Sequence, residues 1–140
     1  MLEPITVELL VHAPVEHCWK TWHNPEDIKQ WNKPSEDWHC PVAENDPTEG
    51  GKFFFRMEKK DSSEGFDFKG KYDKVVPNLL LEYTGDDRRQ SVIAFIARGN
   101  ETSISETFQP DSRPSIREQE EFCSQVLQHF KRHAEKSIGK

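Results

Sequence analysis

The chain is poor in cysteine, has no surplus of basic residues and contains no long apolar run, and each of these lacks removes a class of protein. Only Cys18, Cys40 and Cys123 are present. An odd count with no C-x-x-C pair indicates neither a disulfide framework nor a zinc ribbon, so reduced thiols are expected. Lys and Arg number 19 against 25 Asp and Glu, a formal net charge of -6, whereas nucleic-acid binders concentrate positive charge. Nucleic acid is not an expected partner. No stretch approaches the ~18 apolar residues that cross a bilayer, and the opening MLEPITVELL lacks the basic and apolar regions of a signal peptide. The expectation is a cytoplasmic protein without a membrane span. Repeats, linkers and low-complexity tracts are also lacking, and 140 residues suit a single domain over 1–140 with one core.

What is present changes period twice. ITVELLVHA alternates Ile5, Val7, Leu9 and Val11 on one face, as in a half-buried strand. Pro14 then suits a helix start, and PVEHCWKTW places Val15, Trp19 and Trp22 on one side of a short helix. Asn24, Pro25, Glu26 and Asp27 give cap, first position and first turn of a second short helix carrying Ile28 and Trp31. From about Asp37 to Pro110 strand-like runs follow: WHCPVA, GKFFFRM, FDFKGKYDKV, LLLEYTG, QSVIAFIA and TSISETF. GKFFFRM puts Phe53, Phe55 and Met57 on one face, and FDFKGKYDKV does the same with Phe66, Phe68 and Tyr72. The last segment, SIREQEEFCSQVLQHFKRHAEKSI, opens with Ser115 and Glu118 at capping-box spacing. It then repeats Phe122, Val126, Phe130 and Ala134 every four residues, flanked by Cys123 and Leu127.

One long apolar helix stripe and one sheet must bury each other, so the predicted fold is α+β: a curved antiparallel sheet of about seven strands around a C-terminal helix. The two short helices close one end. This order, together with the strings APVEHCWKTWHNPEDIKQW, EGGKFFFRM and FKGKYDKVVPNLLLEYT, resembles the START-like superfamily of helix-grip folds. Within it, the strings are most similar to the family of the C-terminal domain of the activator of heat-shock-protein-90 ATPase. The resemblance implies a cavity between sheet and long helix, an apolar or amphipathic small molecule as ligand, and a chaperone or other protein as alternative partner. The eukaryotic activator joins such a domain to a separate N-terminal domain, whereas these residues begin at the first strand.

Candidate residues follow from the strand phases. All four tryptophans lie between Trp19 and Trp38, beside His17, Cys18, His39 and Cys40. Adjacent strand residues face opposite ways, so His39 and Cys40 do not share an ion, and no metal site is expected. His129 and His133, four apart on the long helix, are expected on a solvated face. In TSISETF the phase of Ile104 and Phe108 turns Glu106 inward. With a two-residue turn at Gly99-Asn100, Ile93 falls opposite Glu106 and Phe95 opposite Ile104. A carboxylate among apolar neighbours must be paired, protonated, hydrated or set near an opening. It is a satisfied inward group, a polar handle in a ligand site or an acid-base group with a raised pKa. The same register turns Val92, Ala94 and Ile96 outward as a candidate protein contact. The cavity candidates are Trp31, Phe53, Phe55, Phe66, Phe68, Tyr72, Phe95, Glu106, Phe122, Val126 and Phe130, with Tyr72 and Glu106 as polar contacts. The expected mouth lies between the short helices and the loop NDPTEGG. No catalytic constellation and no cofactor motif is found, which leaves a cyclase- or hydrolase-type enzyme as the least supported third class of function.

Overall fold

A computed structural model describes residues 3–139. The elements are β1 (Ile5–Val11), α1 (Val15–His23), α2 (Pro25–Trp31), β2 (Trp38–Asn45), β3 (Lys52–Lys59), β4 (Gly65–Val76), β5 (Leu80–Gly85), β6 (Gln90–Arg98), β7 (Glu101–Phe108) and α3 (Ile116–Lys136). The seven strands form one antiparallel sheet in the order β1-β7-β6-β5-β4-β3-β2. This is the helix-grip arrangement.

Local chemistry sets the ends of the helices as expected. Asn24 Oδ1 accepts from the Glu26 N–H at 3.2 Å and Pro25 begins α2. Ser115 Oγ accepts from the Glu118 N–H at 3.1 Å at the start of α3. Pro14 differs slightly: it is the residue before α1, without a side-chain cap.

The β6–β7 hairpin has the predicted register, with Ile93 opposite Glu106 and Phe95 opposite Ile104. Its turn needs Gly99, which adopts φ +64, a conformation a side chain would disfavour. β4 shows a feature the apolar pattern hides. Gly70 shares the inward phase of Phe68 and Tyr72, and a Cβ there would meet Thr84 O at 2.5 Å and Phe53 Cζ at 2.8 Å. The missing side chain lets the Phe53 ring lie across β4, with centroids 5.3 Å from Phe68 and from Tyr72 and 5.1 Å from Tyr83.

The core divides unequally. A large cluster joins α1, α2 and the middle of the sheet with Phe130 and Ala134 of α3. A small one, Ile5, Val7, Cys123 and Leu127, joins α3 to β1. Among the sheet strands, α3 approaches β1 most closely, and it also rests on α1 and α2.

The buried line of α3 runs through Cys123, Leu127, Phe130 and Ala134. Relative to the expected stripe it is rotated toward Cys123 and Leu127: Val126 is half-buried and Phe122 is 36% exposed. Nor is the flank bearing the two histidines purely solvated. His133 Nε2 lies 2.8 Å from Asp27 Oδ1 of α2, and His129 Nε2 lies 3.3 Å from Glu36 Oε1. These contacts fasten α2 and the segment after it to α3.

Candidate functional site

The closed end of the sheet is filled with aromatic rings. Trp22 packs edge-on against Phe95 (5.7 Å) and Phe130 (5.0 Å), Trp31 against Phe130 (5.0 Å), and Trp19 against Phe95 (5.1 Å). Edge-to-face pairs at such separations add to the burial of the rings themselves. Trp31 Nε1 donates to Thr21 O at 3.1 Å, which satisfies its one polar atom. Next to this cluster, the Tyr72 hydroxyl donates to Asn45 Oδ1 at 2.6 Å, while Asn45 Nδ2 donates to His23 O at 2.9 Å. The loop expected to form part of a mouth is thus tied to α1, and none of its residues lines the pocket between sheet and helix.

Between the sheet and α3 lies a pocket of about 670 Å³, within the ordinary size range of small-molecule sites. Trp22 and Trp31 form its inner end wall. Phe53, Phe55, Met57, Phe68, Tyr72, Leu81, Tyr83 and Ile93 supply the sheet side, and Cys123 and Val126 the helix side. It opens at the other end, where the β5–β6 turn, the β7–α3 connection and the first turns of α3 bring together Asp87, Arg89, Asp111, Arg113 and Glu118. Phe66 and Phe122 stand at this opening, 6.1 Å apart, with Trp38 6.0 Å from Phe66.

Nine of the eleven residues singled out in the sequence line this pocket: Trp31, Phe53, Phe55, Phe66, Phe68, Tyr72, Glu106, Phe122 and Val126. Phe95 and Phe130 do not. They are 1% and 0% exposed and support the tryptophan wall from behind. Tyr72 presents its ring, but its hydroxyl is committed to Asn45.

Glu106 faces the pocket, where it keeps part of its surface accessible. Its neighbours across the sheet are Val7 on β1 and Ile93 on β6. Desolvation by this apolar surround raises its pKa to about 7, opposed only by the Cys123 thiol as a side-chain hydrogen-bond partner. A thiol is a weak donor, and among the described residues no cationic side chain forms an ion pair with the carboxylate. Burial, reinforced by Glu106, also raises the Cys123 thiol far out of the physiological range. The Tyr83 phenol is raised in the same way, with Ser91 as its cross-strand neighbour.

Tyr83, Ser91, Cys123 and the polar rim were not selected from sequence. The alternation in LLLEYTG turns Tyr83 inward and could have found it. The rim comes from three separate turns and carries no local signal.

Among the described residues no group of three or more His, Cys, Asp or Glu is placed to hold a metal ion. His39 instead meets Glu58 at 3.1 Å, while Cys40 is buried. No described helix is long and apolar enough to cross a membrane.

A curled antiparallel sheet gripping a terminal helix, with an open space between them, is the architecture of the START-like superfamily. Residues 12–135 match the family described as activator of Hsp90 ATPase homolog 1-like protein, and the chain belongs to that family. It resembles the solution structure of the AHSA1-like protein from Aeromonas hydrophila, with a TM-score of 0.89 and 31% identity over 96% of this chain and 93% of that one. It is also similar to Chr148 from Cytophaga hutchinsonii, at 40% identity and a TM-score of 0.81 with the same coverages. Protein NE0264 from Nitrosomonas europaea shares the fold at 15% identity, with a TM-score of 0.84 over 99% of this chain and 97% of that one. No curated protein matches the sequence.

Proposed function

We propose that this protein is a START-like binding domain that accommodates an apolar or amphipathic small molecule between the sheet and α3. The observation that carries the reading is the pocket itself, walled by aromatic rings at one end and open at the other, with one carboxyl group inside. Small-molecule sites commonly combine an apolar lining with a few placed polar groups. Binding is by shape-selective burial. The ligand enters past Phe66 and Phe122, and its apolar body displaces water from Phe53, Phe55, Phe68 and Leu81. A thermal-shift screen of lipids, aromatics and polyketides tests this reading. A stabilising hit that is lost on filling the pocket with Val126→Trp supports it; hits unaffected by that substitution, or no hits, count against it.

A second reading, a protein-interaction module that contacts a chaperone ATPase or another protein, draws on the convex face of the sheet. Val92 and Ile96 are 38% and 51% exposed there. A pull-down followed by an ATPase assay separates the two. Stimulation that survives Val126→Trp and is lost in Val92→Glu/Ile96→Glu favours the interaction module.

A further inference from the structure

We infer that the pocket selects amphipathic amines, with the ammonium group seated on Glu106 and the apolar body directed toward the tryptophan wall. The inference rests on the ligand-binding reading above and adds the chemical class of the ligand.

The argument is one of unmet complementarity. No cationic side chain among the described residues answers Glu106 inside the pocket. Tyr72 gives its proton to Asn45, and the hydroxyls of Tyr83 and Ser91, a cross-strand pair, are neutral donors. Cys123 brings at most a weakly donating thiol to Glu106. Glu106 is left with acceptor capacity and no cation, in surroundings where a charge-assisted bond is stronger than in water. An alkylammonium brings both the missing charge and up to three donors. A ligand carboxylate would meet a like charge, and an alcohol would gain one neutral hydrogen bond.

The opening has the same preference. Its two arginines are already engaged, Arg89 with Asp87 at 2.7 Å and Arg113 with Asp111 at 2.8 Å. Asp67 is likewise paired, with Arg56 at 3.2 Å, so Glu118 is the carboxylate that adds negative charge to this rim. A cation is therefore favoured on approach as well as in place.

Protonation makes the preference readable. The groups facing Glu106 are Val7 from β1, Ile93 from β6, Tyr83 from β5 and Cys123 from α3. The two titratable ones, Tyr83 and Cys123, are raised away from neutrality, so Glu106 alone changes charge inside the pocket near pH 7. An amine that binds the ionised form gains affinity as pH rises, by about tenfold from pH 6 to 8.5.

The test is calorimetric titration of the full chain with 4-phenylbutylamine, 4-phenylbutanol and 4-phenylbutyrate at pH 6 and 8.5, repeated with Glu106→Gln. The amine should bind tightest at pH 8.5, lose about tenfold at pH 6, and lose both its advantage over the alcohol and its pH dependence in the variant. Circular dichroism confirms that the variant is folded. Equal or tighter binding of the alcohol or the acid at pH 8.5, or an unchanged amine profile in Glu106→Gln, overturns the amine preference and leaves the pocket reading standing. Failure of all three compounds to bind overturns both.

Discussion

The two ends of the space between sheet and helix are built from similar residues and behave oppositely. At the closed end Trp19, Trp22 and Trp31 are locked by Phe95 and Phe130, and the polar atoms of Asn45 and Tyr72 bond to each other. At the open end Phe66 and Phe122 are 40% and 36% exposed and share their surroundings with ion pairs. The closed end is where ring burial stabilises the fold; the open end leaves aromatic surface uncovered, which is the condition for binding something else.

Phe130→Ala should break this difference most visibly, with a loss of about 3–5 kcal/mol in denaturant unfolding, because a fully buried ring leaves a cavity beside Trp22 and Trp31. Phe122→Ala should cost less than about 1 kcal/mol while weakening ligand binding. Equal losses for the two would erase the distinction between the ends.

The ends also titrate in opposite senses. His23, in the closed end, donates Nδ1–H to Trp19 O at 2.8 Å, and its buried Nε2 has no partner among the described residues. Burial lowers its pKa to about 4. The unfolded chain therefore binds a proton that the folded one refuses, and stability falls as pH drops from about 6.5 to 4, by up to about 3 kcal/mol. His23→Phe should flatten that fall.

Glu106 works the other way. Its raised pKa means that the folded chain holds a proton the unfolded chain has lost, so stability declines as pH rises from about 4.5 to 7. Glu106→Gln should raise stability at pH 8 by about 2 kcal/mol, allowing for screening through the opening, and change little at pH 4. Equilibrium unfolding at several pH values checks both. Ser115→Ala, which removes the cap of α3, should cost about 1 kcal/mol. Hydrogen exchange should locate that effect in the first turns of α3, beside the opening.

The sequence made the fold legible because strand alternation, proline starts and the α3 repeat all act locally. The β6–β7 register and the inward Glu106 followed from a two-residue turn and strict period-2 phasing. What period alone missed was packing at a distance. Gly70 looks neutral until Phe53 is seen lying over it. The four-residue repeat on α3 gave Phe122 the same weight as Phe130, although one end of the helix is covered by α1 and α2 and the other is not. The tryptophans suggest a mouth beside them, because aromatic density reads alike in a wall and in a lid. Only the rings of Phe95 and Phe130 behind them make it a wall.

The central claim is that the space between sheet and α3, entered beside the start of α3, is the binding site. Its most direct test is a backbone and methyl NMR titration of the full chain with 4-phenylbutylamine at pH 8.5. The account predicts shifts concentrated at Met57, Leu81, Ile93 and Val126, with intermolecular contacts to Phe122 and none at Val92 or Ile96. Shifts confined to the convex face, or none at saturating ligand, would contradict it.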